Sequence, residues 1–192
     1  MRRWTALPRF VLIPLALCVC ALLAALVVLM ATEKRTAAAA PDYRVVGVGG
    51  IDYEAMLGRP IRPDNAVDRR IVAGLSADDR RSRRGTILFG AFVSVTNDSS
   101  HVLRTTGRIG LRDEHGRVFH AVSLPASNPY AYRARVVRPG TRLPGVGSAA
   151  GDNLAATGLL LVFRIPAADY DGVLELVIHD PSHPARTRSL II

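Results

Sequence analysis

The chain has 192 residues, 49% of them apolar, and a formal charge of +9, which suits one domain of ordinary size with an anchor or a tail. Its two cysteines, Cys18 and Cys20, sit together in the apolar N-terminal stretch, so residues 32–192 can hold no disulfide framework. Twenty-four of the 25 basic residues are Arg, and from Thr36 onward 20 Arg face 15 acids. That surplus favours acidic partners such as anionic lipid or wall polymer, while the lack of aromatics interleaved with the arginines excludes a nucleic-acid partner.

Residues 10–31 (FVLIPLALCVCALLAALVVLMA) carry no charge. As a helix rising about 1.5 Å per residue they reach roughly 33 Å, enough for a bilayer core of about 30 Å. Pro14 lies near the start, where a missing amide costs little, and Trp4 suits the interfacial belt. Arg2, Arg3 and Arg9 precede the span, whereas Lys34 and Arg35 follow it beside Glu33. The basic bias puts the N-terminus in the cytoplasm. Residues 37–40 offer small residues for a signal cleavage site, but the apolar run exceeds the roughly 7–15 residues of a signal core. Leu17 and Val19, which precede the cysteines, are not the small residues of a lipobox. The expected organisation is a cytoplasmic segment 1–9, a retained transmembrane helix 10–31, a stem 32–42 and an extracytoplasmic domain 43–192.

The domain reads as strands. Residues 43–48 and 51–57 are short β-branched runs separated by glycines. Pro60 and Pro63 in 58–65 argue against regular pairing there, and 66–77 is a helical turn or a loop. In 86–96 the odd positions Ile87, Phe89, Ala91, Val93 and Val95 are all apolar, which is period two with one buried face. Asn97-Asp98-Ser99-Ser100 is turn chemistry. A strand at 103–112 alternates Leu103, Ile109 and Leu111 against Arg104, Arg108 and Arg112. Asp113-Glu114-His115-Gly116 then makes a hairpin turn back to 117–122. After a proline-dotted connection over 125–152 come strands at 158–166, 173–179 and 186–192, the last an edge. About seven or eight short strands predict an all-β fold, an antiparallel Ig-like β-sandwich, preceded by the single transmembrane helix.

The segments Gly50-Ile51-Asp52-Tyr53, Arg59-Pro60-Ile61, Leu88-Phe89-Gly90-Ala91-Phe92-Val93, Leu111-Arg112-Asp113-Glu114-His115-Gly116 and Gly158-Leu159-Leu160-Leu161-Val162-Phe163-Arg164-Ile165-Pro166 occur in this order. In this the chain resembles bacterial, especially actinobacterial, membrane-anchored or secreted Ig-like domains of unknown function. The likeness covers about residues 43–181 and implies an extracytoplasmic sandwich without a catalytic residue to carry over.

Residue patterns for chemistry are sparse. His179-Asp180-Pro181-Ser182-His183 has two imidazoles and a carboxylate, but Pro181 and Pro184 deny the helix that would bring i,i+4 histidines onto one ion, so a polar turn is expected. No Gly-x-Ser-x-Gly elbow occurs, and Gly47-Val48-Gly49-Gly50 lacks the dinucleotide spacing. No catalytic residue, metal or cofactor is expected. The cluster Arg80, Arg81, Arg83 and Arg84 is either a solvated loop offset by Asp78 and Asp79 or a contact for anionic headgroups or polymer. Tyr130 and Tyr132 either contact a partner or fold back over the core. The sequence therefore points to a non-enzymatic, envelope-displayed binding module. Its partners are membrane lipid through 10–31 and a protein or anionic envelope polymer. An accessory subunit of a membrane complex is the alternative, with an envelope hydrolase a distant third.

Overall fold

In the computed structural model, which describes residues 44–81, 83–153 and 157–192, Gly49 and Gly50 join β1 (Val45–Val48) to β2 (Ile51–Ile61). Both glycines have positive φ, 59° and 81°, as a two-residue hairpin turn demands. The predicted span 10–31 and stem 32–42 lie outside the described residues, and no helix among the described residues is long and apolar enough to cross a membrane.

β2 pairs along most of its length with β3 (Thr86–Asn97), interrupted by a bulge between Ala55 and Leu57. Pairing continues through Pro60, opposite Phe89, to Ile61, which corrects the expectation drawn from the prolines. β1 reaches only to Glu54, so past the bulge β2 is an edge on that side, where proline is tolerated. Between β2 and β3 lie two short helices, α1 (Ala66–Ile71) and α2 (Ala77–Arg80). β3 also pairs with β8 (Thr141–Leu143) and β9 (Leu159–Pro166).

β6 (Val118–Val122) is the corner. Its first residues pair with β5 (Ile109–Arg112), while Ala121 and Val122 pair with β9. β5 pairs in turn with β10 (Glu175–His179), and β10 with β11 (Thr187–Ile191). Among the described residues one nine-stranded sheet results, in the order β1-β2-β3-β9-β6-β5-β10-β11 with β8 on β3. Its end strands β1 and β11 lie alongside each other. The all-β antiparallel class is as expected. In place of two separate facing sheets, a single sheet turns through β6 and closes in a barrel-like way on one main core.

That core takes Phe89, Ala91, Val93 and Val95 from β3, Leu161, Phe163 and Ile165 from β9, and Leu176, Ile178 and Leu190 from β10 and β11. The other face of β3 is covered as well. Ile71, Val72 and Leu75 pack over Leu88, Phe92, Leu160 and Val162 in a second core.

The expected strand at 103–112 is broken. β4 (Leu103–Arg104) pairs with β7 (Val136–Val137) in a small separate sheet. Between β4 and β5, the amide of Thr106 donates to the Tyr53 hydroxyl at 3.0 Å, and the Tyr132 hydroxyl donates to the Thr106 carbonyl at 2.7 Å. Two tyrosine hydroxyls thus take the backbone groups that a strand neighbour would have used. Burial foremost raises the pKa of both phenols, so both stay protonated, Tyr53 accepting and Tyr132 donating.

Asn128 explains the path of the loop that carries Tyr130 and Tyr132. Its buried amide donates to the carbonyls of Ile71 and Ala73 at 2.9 and 3.0 Å. Its oxygen accepts from the amides of Tyr130 and Ala131. Asn128→Asp keeps the acceptor but loses both donated bonds. The cost of leaving such groups unpaired is about 1–3 kcal/mol each, so we expect a loss of about 2–6 kcal/mol in urea unfolding of the full chain. Unchanged stability would mean that this amide does not hold the loop.

Candidate ligand cleft

Local hydrogen bonding builds a cleft at one end of β2, β3 and β9. Asn65 caps α1, its side chain accepting from the amides of Val67 and Asp68. Asp68, buried in the first turn, accepts from the Arg59 guanidinium at 2.7 Å and from the Arg62 amide at 2.8 Å. Burial by itself raises the Asp68 pKa, but the bonds from Arg59 and Arg62 and the charges of both outweigh it and hold the carboxyl below its ordinary range. Arg69 ties down the carbonyls of Pro63 and Asp64. The exit from β2 is thereby fixed.

On the opposite wall, Ser76 caps α2 through the Asp79 amide. Arg164 reaches from β9 to the carbonyls of Asp79 at 2.5 Å and Arg81 at 3.3 Å. The Ala167 amide donates to the Gly85 carbonyl. These bonds press the arginine-rich segment against the sheet rather than leaving it a loose loop.

The cleft so formed has a volume of about 660 Å³. Its lining brings together Arg62, Arg80, Arg81 and Arg164, with Asp64 as the single carboxylate, over an apolar surface that includes Ile61, Ile87, Leu88 and Tyr170. Burial, and secondarily the charge of nearby Arg83, lower the Arg164 pKa against the opposing pull of Asp79. It remains a cation, held where positive charge is crowded and an anion would be favoured.

The four arginines singled out in the sequence are thus divided. Arg80 and Arg81 line the cleft; Arg81 also makes an exposed 3.5 Å ion pair with Asp78. Arg83 and Arg84 are exposed and outside the lining. Arg62 and Arg164 were missed. Arg164 had left a signal, since it is the one charge inside the otherwise apolar run of β9.

Tyr130 and Tyr132 are half-buried, packed on the core, with the Tyr132 hydroxyl turned inward to Thr106. Of the two readings for them, the structure favours covering the core. The histidine motif is a polar turn. Asp180 accepts from the amides of Ser182 and His183, and the Nδ1 atom of His179 lies 3.1 Å from the Pro184 carbonyl.

Among the described residues, the side chains that approach within one ion's reach are Asp113, His115 and Asp169, their ligand atoms within 4.8 Å. Arg117 already bridges the two carboxylates, at 2.6 Å to Asp113 and 2.7 Å to Asp169. Asp113 also accepts from the amides of His115 and Arg117 to form the hairpin turn. This is a clamp between the hairpin and the 3₁₀ turn Ala167–Asp169, with Asp169 Oδ2 buried and unpaired.

No protein-family model matches the sequence, and no curated protein matches it. A solved structure shares the fold. The ycdA protein of Bacillus subtilis, proposed to be a lipoprotein, superposes with a TM-score of 0.51 at 11% identity, over 78% of this chain and 38% of that one. The chain therefore spans well under half of ycdA. The yjhA protein of the same organism gives 0.46 at 10% identity, over 77% of this chain and 95% of its own. A functionally unknown protein of Listeria monocytogenes gives 0.46 at 12%, over 77% and 78%.

Proposed function

We propose that this chain is a non-catalytic binding module of the cell envelope, held to the membrane by residues 10–31, of the actinobacterial Ig-like type, and that its arginine-rimmed cleft binds an anionic ligand. One observation carries the reading: four arginines from three separate segments line one cleft with a single carboxylate beside them. No histidine, serine or cysteine belongs to that lining, and its Thr86 hydroxyl is engaged with the Arg83 carbonyl, which supports attraction for an anion rather than chemistry upon it. Clustered arginines suit phosphate oxygens in particular.

The test uses the full chain in phosphatidylcholine nanodiscs, titrated with a soluble glycerol-phosphate oligomer. Binding is expected at low salt and should weaken as ionic strength rises. The triple variant Arg62→Gln, Arg80→Gln, Arg81→Gln removes only exposed charges and should lower affinity at least tenfold. Equal binding by the variant, or no binding by the wild type at low salt, would refute the proposal.

A further inference from the structure

We infer that the ligand of this cleft is an anionic amphiphile with one short apolar chain, an inference that rests on the anion-binding reading and narrows its ligand class. Register places Ile61, Leu88 and Arg164 opposite one another on β2, β3 and β9. Cross-strand partners project to the same face of a sheet, so this row passes from apolar to cationic within the cleft. Ile61 and Leu88 form a buried floor, while the Arg164 guanidinium ends at the backbone of the segment bearing Arg80 and Arg81. Past that row Tyr170, 41% exposed, keeps an apolar wall open to water.

A bare phosphate would engage the arginines and leave this wall wet. The volume of about 660 Å³ is that of a small-molecule site, far more than an inorganic anion fills. A chain extending from the anionic head along Leu88 and Tyr170 covers the wall, and each methylene it buries adds to the affinity. The head chemistry is common to a free amphiphile and to a lipid resident in the bilayer. The small-molecule volume of the cleft, too little for the two chains of a bilayer lipid, assigns it to the single-chain form.

The experiment measures binding of methyl, butyl and octyl phosphate to the full chain in phosphatidylcholine nanodiscs, with empty discs as the blank. For methylenes buried to about half, affinity should rise about twofold per carbon, or roughly 16-fold from butyl to octyl. Ala167→Asn, a neutral change at an exposed lining residue whose backbone bond to Gly85 is unaffected, should flatten this dependence and leave methyl phosphate binding within about twofold. The triple arginine variant should weaken all three ligands alike. Should octyl phosphate bind no tighter than methyl phosphate, the amphiphile inference is overturned while the anion reading stands. If neither the alkyl phosphates nor the glycerol-phosphate oligomer bind, both fall. If phosphatidylglycerol placed in the discs abolishes octyl phosphate binding, the occupant is a bilayer lipid and the single-chain assignment is lost.

Discussion

Asp68→Ala is expected to lower the stability of the full chain by about 3–5 kcal/mol, the range for removing one partner of a buried ion pair. The Asp68 side chain is only 7% exposed, and that of its partner Arg59 25%. Its loss strands the Arg59 guanidinium, which lies 5.7 Å from the centre of the Phe92 ring, and leaves the Arg62 amide without its acceptor. Asp68→Asn retains the shape and should cost less. The charge also has a pH signature. Because the folded-state pKa is depressed below the usual value near 3.9, the stability from this group is complete above about pH 4 and lost as pH falls through the folded pKa. Thermal melts in detergent between pH 7 and pH 2 should show the wild type losing more stability across the acid range than Asp68→Asn. Parallel curves would remove Asp68 as a source of acid sensitivity. Since Asp68 also fixes the position of Arg62, the alanine variant should bind the glycerol-phosphate oligomer more weakly even where it remains folded.

Asp68 also marks where sequence reasoning stops. Alternation in β3, β9 and β10 was legible because those strands each turn one face to the main core. Ile87 to Val95, Leu159 to Ile165 and Leu174 to Ile178 pack there on the residues whose parity announced them. The hairpin at Asp113 to Gly116 was legible because its turn bonds are local: Asp113 accepts from amides two and four residues on. What could not be read depends on distant partners. The break at Thr106 is enforced by Tyr53, 53 residues away, and by Tyr132, so a clean alternation from Leu103 to Leu111 gave no warning of it. Pro60 is tolerated in β2 because β1 ends early, a matter of sheet extent. The cleft drew Arg62 to Arg80 and Arg81 across about 18 positions of chain, and Arg164 to them across about 83. A run of arginines is visible in one dimension, but the Asp68 and Arg164 bonds that aim them are not. The barrel-like closure likewise turns on β6 changing partners between His120 and Ala121, and no strand signal encodes its neighbours.

Phe163→Ala tests that closure, with an expected loss of about 3–5 kcal/mol. Phe163 is fully buried and stands at the centre of β9, paired with Phe89 on β3 and with Ala121 on β6. It therefore occupies the part of the main core reached from both halves of the sheet. In a core packed at crystal-like density, truncating the ring opens a void in the one cluster that residues of β3, β5 and β10 share with it. For a domain of about 150 residues each kcal/mol lowers the melting temperature by about 2–4 °C, so a drop of roughly 10 °C is expected. Phe163→Leu restores most of the volume and should recover more than half of it. Val136→Ala, at a side chain 57% exposed on β7, should change stability by less than about 0.5 kcal/mol. If the two halves of the sheet were held by separate cores, Phe163→Ala would loosen only β3, β6 and β9, and amides of β10 would keep their hydrogen-exchange protection. With one shared core, exchange should accelerate in β3 and β10 alike, because Leu176 and Ile178 pack in the same cluster as Phe163.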